Sequence, residues 1–139
     1  MEQKRTSPDL RPFVLYSDFN CPFCYALHER LHNMKLLDLV AWRGVQHAPY
    51  LPNPMRRWDG AMKAELQHEV AVVKRLAPDV AIEVPQGKPN TKSAIERAAQ
   101  LLSLDRSRGM EFIRLVYASL WLDGRGISDP AALGALTAR

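Results

Sequence analysis

The sequence predicts an α/β domain that opens with a strand–helix–strand unit and continues as helices. Three observations carry that expectation. Phe13-Val14-Leu15-Tyr16-Ser17-Asp18-Phe19 is an aliphatic and aromatic run that reads as a strand. Cys21-Pro22-Phe23-Cys24 follows at once, and apolar residues recur behind it at helical spacing. Asp38-Leu39-Val40-Ala41-Trp42-Arg43-Gly44-Val45 then reads as a second strand. A crossover of this length implies a right-handed connection between two parallel strands.

Taken in order, residues 1–12 form a loose lead-in that Pro12 ends. Residues 13–19 are expected as a buried strand and residues 23–37, approximately, as a helix. Within that helix Leu27, Leu31 and Met34 fall at i, i+4 and i+7, an apolar stripe suited to packing on a sheet. The character changes at Gln46, because Pro49, Pro52 and Pro54 mark a loop that is neither helix nor central strand. A helical pattern returns from Trp58 to Leu76 and is closed by Pro78. Val80 to Pro89 is a short extended piece and a turn, after which Asn90 or Thr91 caps a helix to about Leu104. Another helix spans Arg108 to Leu122, with Phe112, Leu115, Val116, Ser119 and Leu120 or Trp121 turned inward. Gly124 and Gly126 stop it, and Asp129-Pro130 starts a short last helix as N-cap and first residue. The expected organisation is a single domain over 13–139, with the strand–helix–strand unit at 13–47 and the proline loop and helices at 48–139.

A chain of 139 residues fits one domain, and 47% hydrophobic residues suffice for a core. The net charge of +4 is modest and its Lys and Arg are scattered, which describes a solvated surface rather than a nucleic-acid partner. The N-terminus carries positive charge without an apolar segment, so no signal peptide is read there. No apolar run approaches the roughly 18 residues of a membrane helix. The expected location is therefore cytoplasmic. In that reducing compartment a structural disulfide is not expected, and a lone C-x-x-C points to redox or metal chemistry.

Cys21 and Cys24 are the only cysteines, and a helix N-terminus favours the thiolate that starts disulfide exchange. Pro22 suits the first helical turn, and Phe23 offers an apolar contact beside the reactive sulphur. Inert buried thiols are the plain alternative. Two metal readings compete as well. His28-Glu29-Arg30-Leu31-His32 matches H-E-x-x-H but lacks the third-ligand extension, and no glutamate follows until Glu65. A Cys21, Cys24, His28, His32 site fails on length. Cys24 and His32 lie roughly 12 Å apart along a helix, whereas metal ligands sit about 2.0–2.3 Å from the ion. No metal is expected, and both histidines are placed on the shoulder of the leucine stripe, partly exposed. Asp18, three residues before Cys21, either tunes thiol protonation or is an exposed strand-end acid. Trp42 and Arg43 read as packing and surface charge. His47 and Tyr50 either border the site or, the plainer account, belong to a loop. Tyr117 and Trp121, at i and i+4, read as core.

Several segments together resemble a known family: Phe13–Asn20, Cys21-Pro22-Phe23-Cys24-Tyr25, the Trp42-Arg43 strand, Leu51-Pro52-Asn53-Pro54 and Pro89-Asn90-Thr91. Tyr117-Ala118-Ser119-Leu120-Trp121 and Ile127-Ser128-Asp129-Pro130 complete the set. In this order they resemble the DsbA-like thioredoxin superfamily, on the branch of FrnE-like cytosolic oxidoreductases. Its relatives include 2-hydroxychromene-2-carboxylate isomerases and kappa-class glutathione transferases. The resemblance implies a thioredoxin-like fold with a helical domain inserted after the second strand. It implies a thiol–disulfide oxidoreductase in which Cys21 attacks and Cys24 resolves. Substrates would be protein or small-molecule disulfides and thiols, with no cofactor beyond the dithiol unless glutathione serves as co-substrate. Asn90-Thr91, first a helix cap, matches a segment near bound glutathione in the isomerase branch.

The family completes its core with a hairpin carrying a cis-proline opposite the active cysteine, then a final helix. This sequence ends at Ala138-Arg139, where those elements should begin. The expectation is a truncated fold, or one completed by another chain, including a homo-oligomer. Two rivals follow. One is a glutathione-dependent isomerase or transferase, disfavoured because such relatives usually replace the resolving cysteine. The other is an inactive, partner-completed module.

Overall fold

A computed structural model describes residues 10–57 and 59–137. Residues 1–9 of the expected lead-in and Trp58 at the start of the expected second helix lie outside them, as does the Ala138-Arg139 end. Strand β1 (Phe13–Ser17) and strand β2 (Val40–Gly44) pair in parallel, Phe13 beside Val40 and Ser17 beside Gly44. Helix α1 (Pro22–Asn33) and a 3-10 turn at Leu37–Leu39 connect them. The α/β class and the parallel crossover are thus as the sequence predicts.

The boundaries moved for local reasons. Cys21 takes an extended conformation as N-cap, and Pro22, lacking an N–H, occupies the first helical position. At the other end Lys35 turns left-handed at φ 59°, and Leu36 N–H bonds back to Leu31 O at 2.9 Å, so α1 stops before the expected residue 37. Asp38 and Leu39, expected in the strand, lie in the 3-10 turn instead.

Two burial expectations are corrected. The first strand is not buried along its length: Phe13 and Tyr16 are 62% and 63% exposed, and within β1 only Ser17 is enclosed. Nor does the Leu27/Leu31/Met34 stripe pack on the sheet; Leu27 and Met34 are exposed. Helix α1 docks instead through Tyr25, Ala26 and His28. Those side chains meet the aromatic residues of a later helix, α4 (Arg106–Trp121), with Tyr25 and His28 ring centroids 6.0 and 5.1 Å from that of Tyr117. Apolarity marks the stripe, whereas the docking face is set by where large rings interlock.

Helix α2 (Gly60–Leu76) is capped by Asp59, whose Oδ1 accepts the Met62 N–H at 2.9 Å. It buries Leu66, Val70 and Val73 at i, i+4 and i+7. Helix α3 (Lys92–Leu104) has Thr91 at the cap position without a side-chain bond there; Asn90 Oδ1 accepts from Lys92 N–H at 2.9 Å instead. Helix α4 (Arg106–Trp121) starts two residues early under the Asp105 cap and buries Phe112, Val116 and both Leu120 and Trp121. Helix α5 (Pro130–Thr137) starts after Asp129, which accepts from Ala131 N–H at 2.9 Å. The Asn53–Pro54 bond in the proline loop is cis. No described helix is long and apolar enough to cross a membrane.

Helices α3 and α4 approach closely at Gly109, where an added Cβ would lie 2.7 Å from the Leu102 backbone nitrogen. Backbone cannot yield as a side-chain tip does. Gly109→Ala is therefore expected to lower stability in urea unfolding by about 1–3 kcal/mol. Gly60→Ala, with open space around it, is the control and should cost nothing.

Candidate functional site

The site forms where β1 ends and α1 begins. Three residues make the turn, and each is tied down. Asp18 O accepts the Cys21 N–H at 3.2 Å, Phe19 O accepts the Trp121 indole N–H at 2.8 Å, and Asn20 Nδ2 donates to Pro89 O at 2.9 Å. These bonds place Cys21 at the helix N-cap, with its sulphur accepting the Cys24 N–H at 3.4 Å. Both cysteines are free thiols and half-buried. Pro22 is buried between them, and Phe23 stands 44% exposed beside the pair.

The two thiols act on each other's titration in opposite directions. A hydrogen bond from Cys21 holds the Cys24 thiol down to about 6, against the opposing effect of burial. The Asp18 backbone N–H and the Ser17 hydroxyl act in the same direction on Cys24, while the Asp18 carboxylate opposes its charge. The same thiol–thiol bond, then burial, pushes Cys21 up, while the Cys24 and Phe23 amides act to lower it. Those amides and the helix dipole supply a berth for the charge on Cys21 whenever the proton moves to Cys24. One thiolate is thus held at neutral pH.

Two polar groups back the pair. Asp18 is 3% exposed, which overturns the reading of an exposed strand-end acid. Its Oδ2 accepts from the His47 N–H at 2.9 Å and lies 2.6 Å from His47 Nδ1. On the far side His47 Nε2 lies 3.0 Å from Lys88 Nζ. A carboxylate only accepts and an ammonium only donates, so His47 is neutral here, with its proton on Nδ1. His47 is therefore a site neighbour rather than a plain loop residue, whereas Tyr50 is 81% exposed and takes no part. The second group is the hydrogen-bonded pair of Ser17 Oγ and Tyr117 OH, both buried. Sequence reasoning missed Lys88, Ser17 and the hydroxyl of Tyr117; the helical spacing of Tyr117 and Trp121 located the residue but spoke only for its ring.

Trp42 is core and Arg43 exposed, as expected. The H-E-x-x-H stretch does not form a ligand pair, because His28 is fully buried and His32 is exposed. That corrects the expectation of two partly exposed histidines. Among the described residues no three His, Cys, Asp or Glu side chains converge on a metal position. An open groove of about 1150 Å³, lined by Tyr16, Arg43, Ile95 and Met110 among others, does not touch the cysteines.

His28 sits one helical turn behind Cys24 with neither ring nitrogen bonded. Burial holds its pKa down to about 4 from the usual 6.5, aided by the charges of His32 and Arg114. The folded state prefers the neutral ring, so the unfolded chain binds the extra proton between those values. Stability is full above about pH 6.5 and falls as the pH drops toward 4. At about 1.36 kcal/mol per pH unit the loss reaches roughly 3 kcal/mol. Urea midpoints measured from pH 7 to 4 should show this fall, and His28→Phe should flatten it.

A family model described as a DSBA-like thioredoxin domain matches residues 13–139. No curated protein matches the chain. The match takes in both strands, the cysteine-capped helix and all four helices that follow, and so fixes the fold class as thioredoxin-like. The chain belongs to the family of DSBA-like thioredoxin domains.

Proposed function

We propose that the chain is a thiol–disulfide oxidoreductase working through Cys21 and Cys24. The observation that carries the reading is a cysteine sulphur serving as N-cap of α1, with the second cysteine one turn along donating its backbone N–H to that sulphur. Family membership supports oxidoreductase-type chemistry in general terms.

The Cys21 thiolate attacks one sulphur of a substrate disulfide. A mixed disulfide forms, and the other substrate sulphur leaves with the electron pair and takes a proton from solvent. Cys24, deprotonated, then attacks Cys21 Sγ. The Cys21–Cys24 bond forms, and the second substrate sulphur departs as thiolate. The substrate gains two electrons and the dithiol loses them. Protein and small-molecule disulfides both fit a half-exposed site with the apolar Phe23 at its lip. In a cytoplasmic setting the direction is reduction or isomerisation. A glutathione-dependent isomerase would not need Cys24, and the retained second thiol speaks for exchange.

The roles are separable. Cys24→Ser, incubated with a disulfide substrate, should accumulate a mixed disulfide at Cys21, while Cys21→Ser should trap nothing. Mass spectrometry of the non-reduced adducts checks this. Trapping at neither position would sink the oxidoreductase reading, and trapping at position 24 in Cys21→Ser would reverse the roles.

A further inference from the structure

We infer that two copies of the chain pair along the outer edges of their β1 strands, antiparallel about a two-fold axis at Leu15. The pairing goes beyond the oxidoreductase reading and does not depend on it.

Among the described residues β1 has β2 on one side and no strand on the other. Parallel sheets are ordinarily covered on both faces, and two strands alone make a marginal sheet. Here Val14 and Tyr16, on the face away from Ser17, are 48% and 63% exposed, and Phe13 on the opposite face is exposed as well. Native edges are blunted by a charge, a proline or a bulge within the strand. Phe13-Val14-Leu15-Tyr16-Ser17 has no charged residue and no proline, and its register against Val40–Gly44 runs without a bulge.

Backbone direction identifies the occupant. Ser17 O accepts the Val45 N–H at 2.9 Å, so the Ser17 peptide groups point toward β2. Direction alternates along a strand. Phe13 and Leu15 therefore point toward β2 as well, and Val14 and Tyr16 aim N–H and C=O at the free edge. Those outward groups lie symmetrically about Leu15. A second copy turned about a two-fold axis there sets its Tyr16 opposite Val14 and its Val14 opposite Tyr16. Both opposed pairs then exchange N–H···O bonds in both directions. The next outward residue is Pro12, which has no N–H, so the ladder ends there. On the exposed face each valine lies beside a tyrosine ring, a favourable cross-strand pair, and no charge meets its like at the axis. An unrelated strand has no use for the symmetry about Leu15, whereas a second copy is matched by it at both pairs. A standard interface buries about 800 Å² per partner. An edge of 5 residues supplies less, so the dimer is reversible and its population follows concentration. The pairing also sets the two Ser17 residues about 14 Å apart along the strands. The dithiols beyond them stay at opposite ends and do not bond to each other.

Sedimentation of the whole 139-residue chain over a range of concentrations, with and without reductant, tests the pairing. The mass should climb from 15.8 kDa toward twice that value, and reductant should not alter it. Hydrogen exchange at the Val14 and Tyr16 amides should slow as the dimer fills. Val14→Lys with Tyr16→Lys sets like charges across the edge and should raise the dissociation constant at least about a hundredfold. Val14→Lys with Tyr16→Glu opposes unlike charges in this register and should return it to within about tenfold of wild type. Both positions are exposed in the single chain, so circular dichroism should show the same fold in both variants. A wild-type chain that stays at 15.8 kDa at every concentration would overturn the pairing, as would a dimer that reductant dissolves. Slow exchange at the same two amides in a monomer would assign the edge to another segment of the chain and overturn it too. A dimer weakened equally by both double variants would overturn the antiparallel register about Leu15.

Discussion

The bond between Tyr117 and Ser17 is the joint on which the arrangement turns, because it fastens the middle of α4 to the end of the strand that delivers the cysteines. A buried tyrosine hydroxyl demands a partner, and a strand-end serine supplies it. Around that bond the Tyr117 ring fills the angle between Phe19, Tyr25 and His28, so α1, β1 and α4 meet on one side chain. Trp121, one turn further along α4, repeats the pattern by donating to Phe19 O and stacking on Tyr25. The helices that follow the strand–helix–strand unit therefore form the floor on which the dithiol rests.

Much of the fold was legible because regular elements announce themselves by spacing and punctuation. Leu66, Val70 and Val73 mark the inner face of α2, and Asp129-Pro130 marks the start of α5 by residue chemistry alone. Helix α1 was misread on its faces for a physical reason. Hydropathy favours leucine and methionine, but burial goes to the side chains that interlock with α4, and a fully enclosed histidine is one of them. Exposure along β1 was equally illegible, since an apolar run does not say how many of its neighbours are in place.

The cysteine pair and its helix position were plain in the chain; its electrostatic setting was not. Asp18 could be named but not oriented. His47 reaches it from 29 residues away, and Lys88 adds a donor from a further 41 residues along, so no local pattern records the cluster. Asp18 and His28 also show that this core tolerates polar groups only at a cost. Asp18 keeps one buried oxygen unpaired, and His28 keeps two nitrogens so. Both lie within a turn or so of the cysteines, so unmet hydrogen-bonding capacity sits beside the dithiol.

Cys21 is both the cap of α1 and the attacking thiol of the exchange proposed above, so that exchange would act on the atom that closes the helix. While its sulphur accepts the Cys24 amide, the first turn of α1 is closed by a polarisable atom. Bonding that sulphur to Cys24 leaves a neutral disulfide in place of the dithiol, and the first turn of α1 loses the negative charge that the pair held near its positive end. A thermodynamic cycle then ties the difference in unfolding free energy between the dithiol and disulfide forms to the difference in reduction potential between the folded and the unfolded chain. Unfolding resistance and electron affinity become two readings of one quantity, set at the first turn of a single helix.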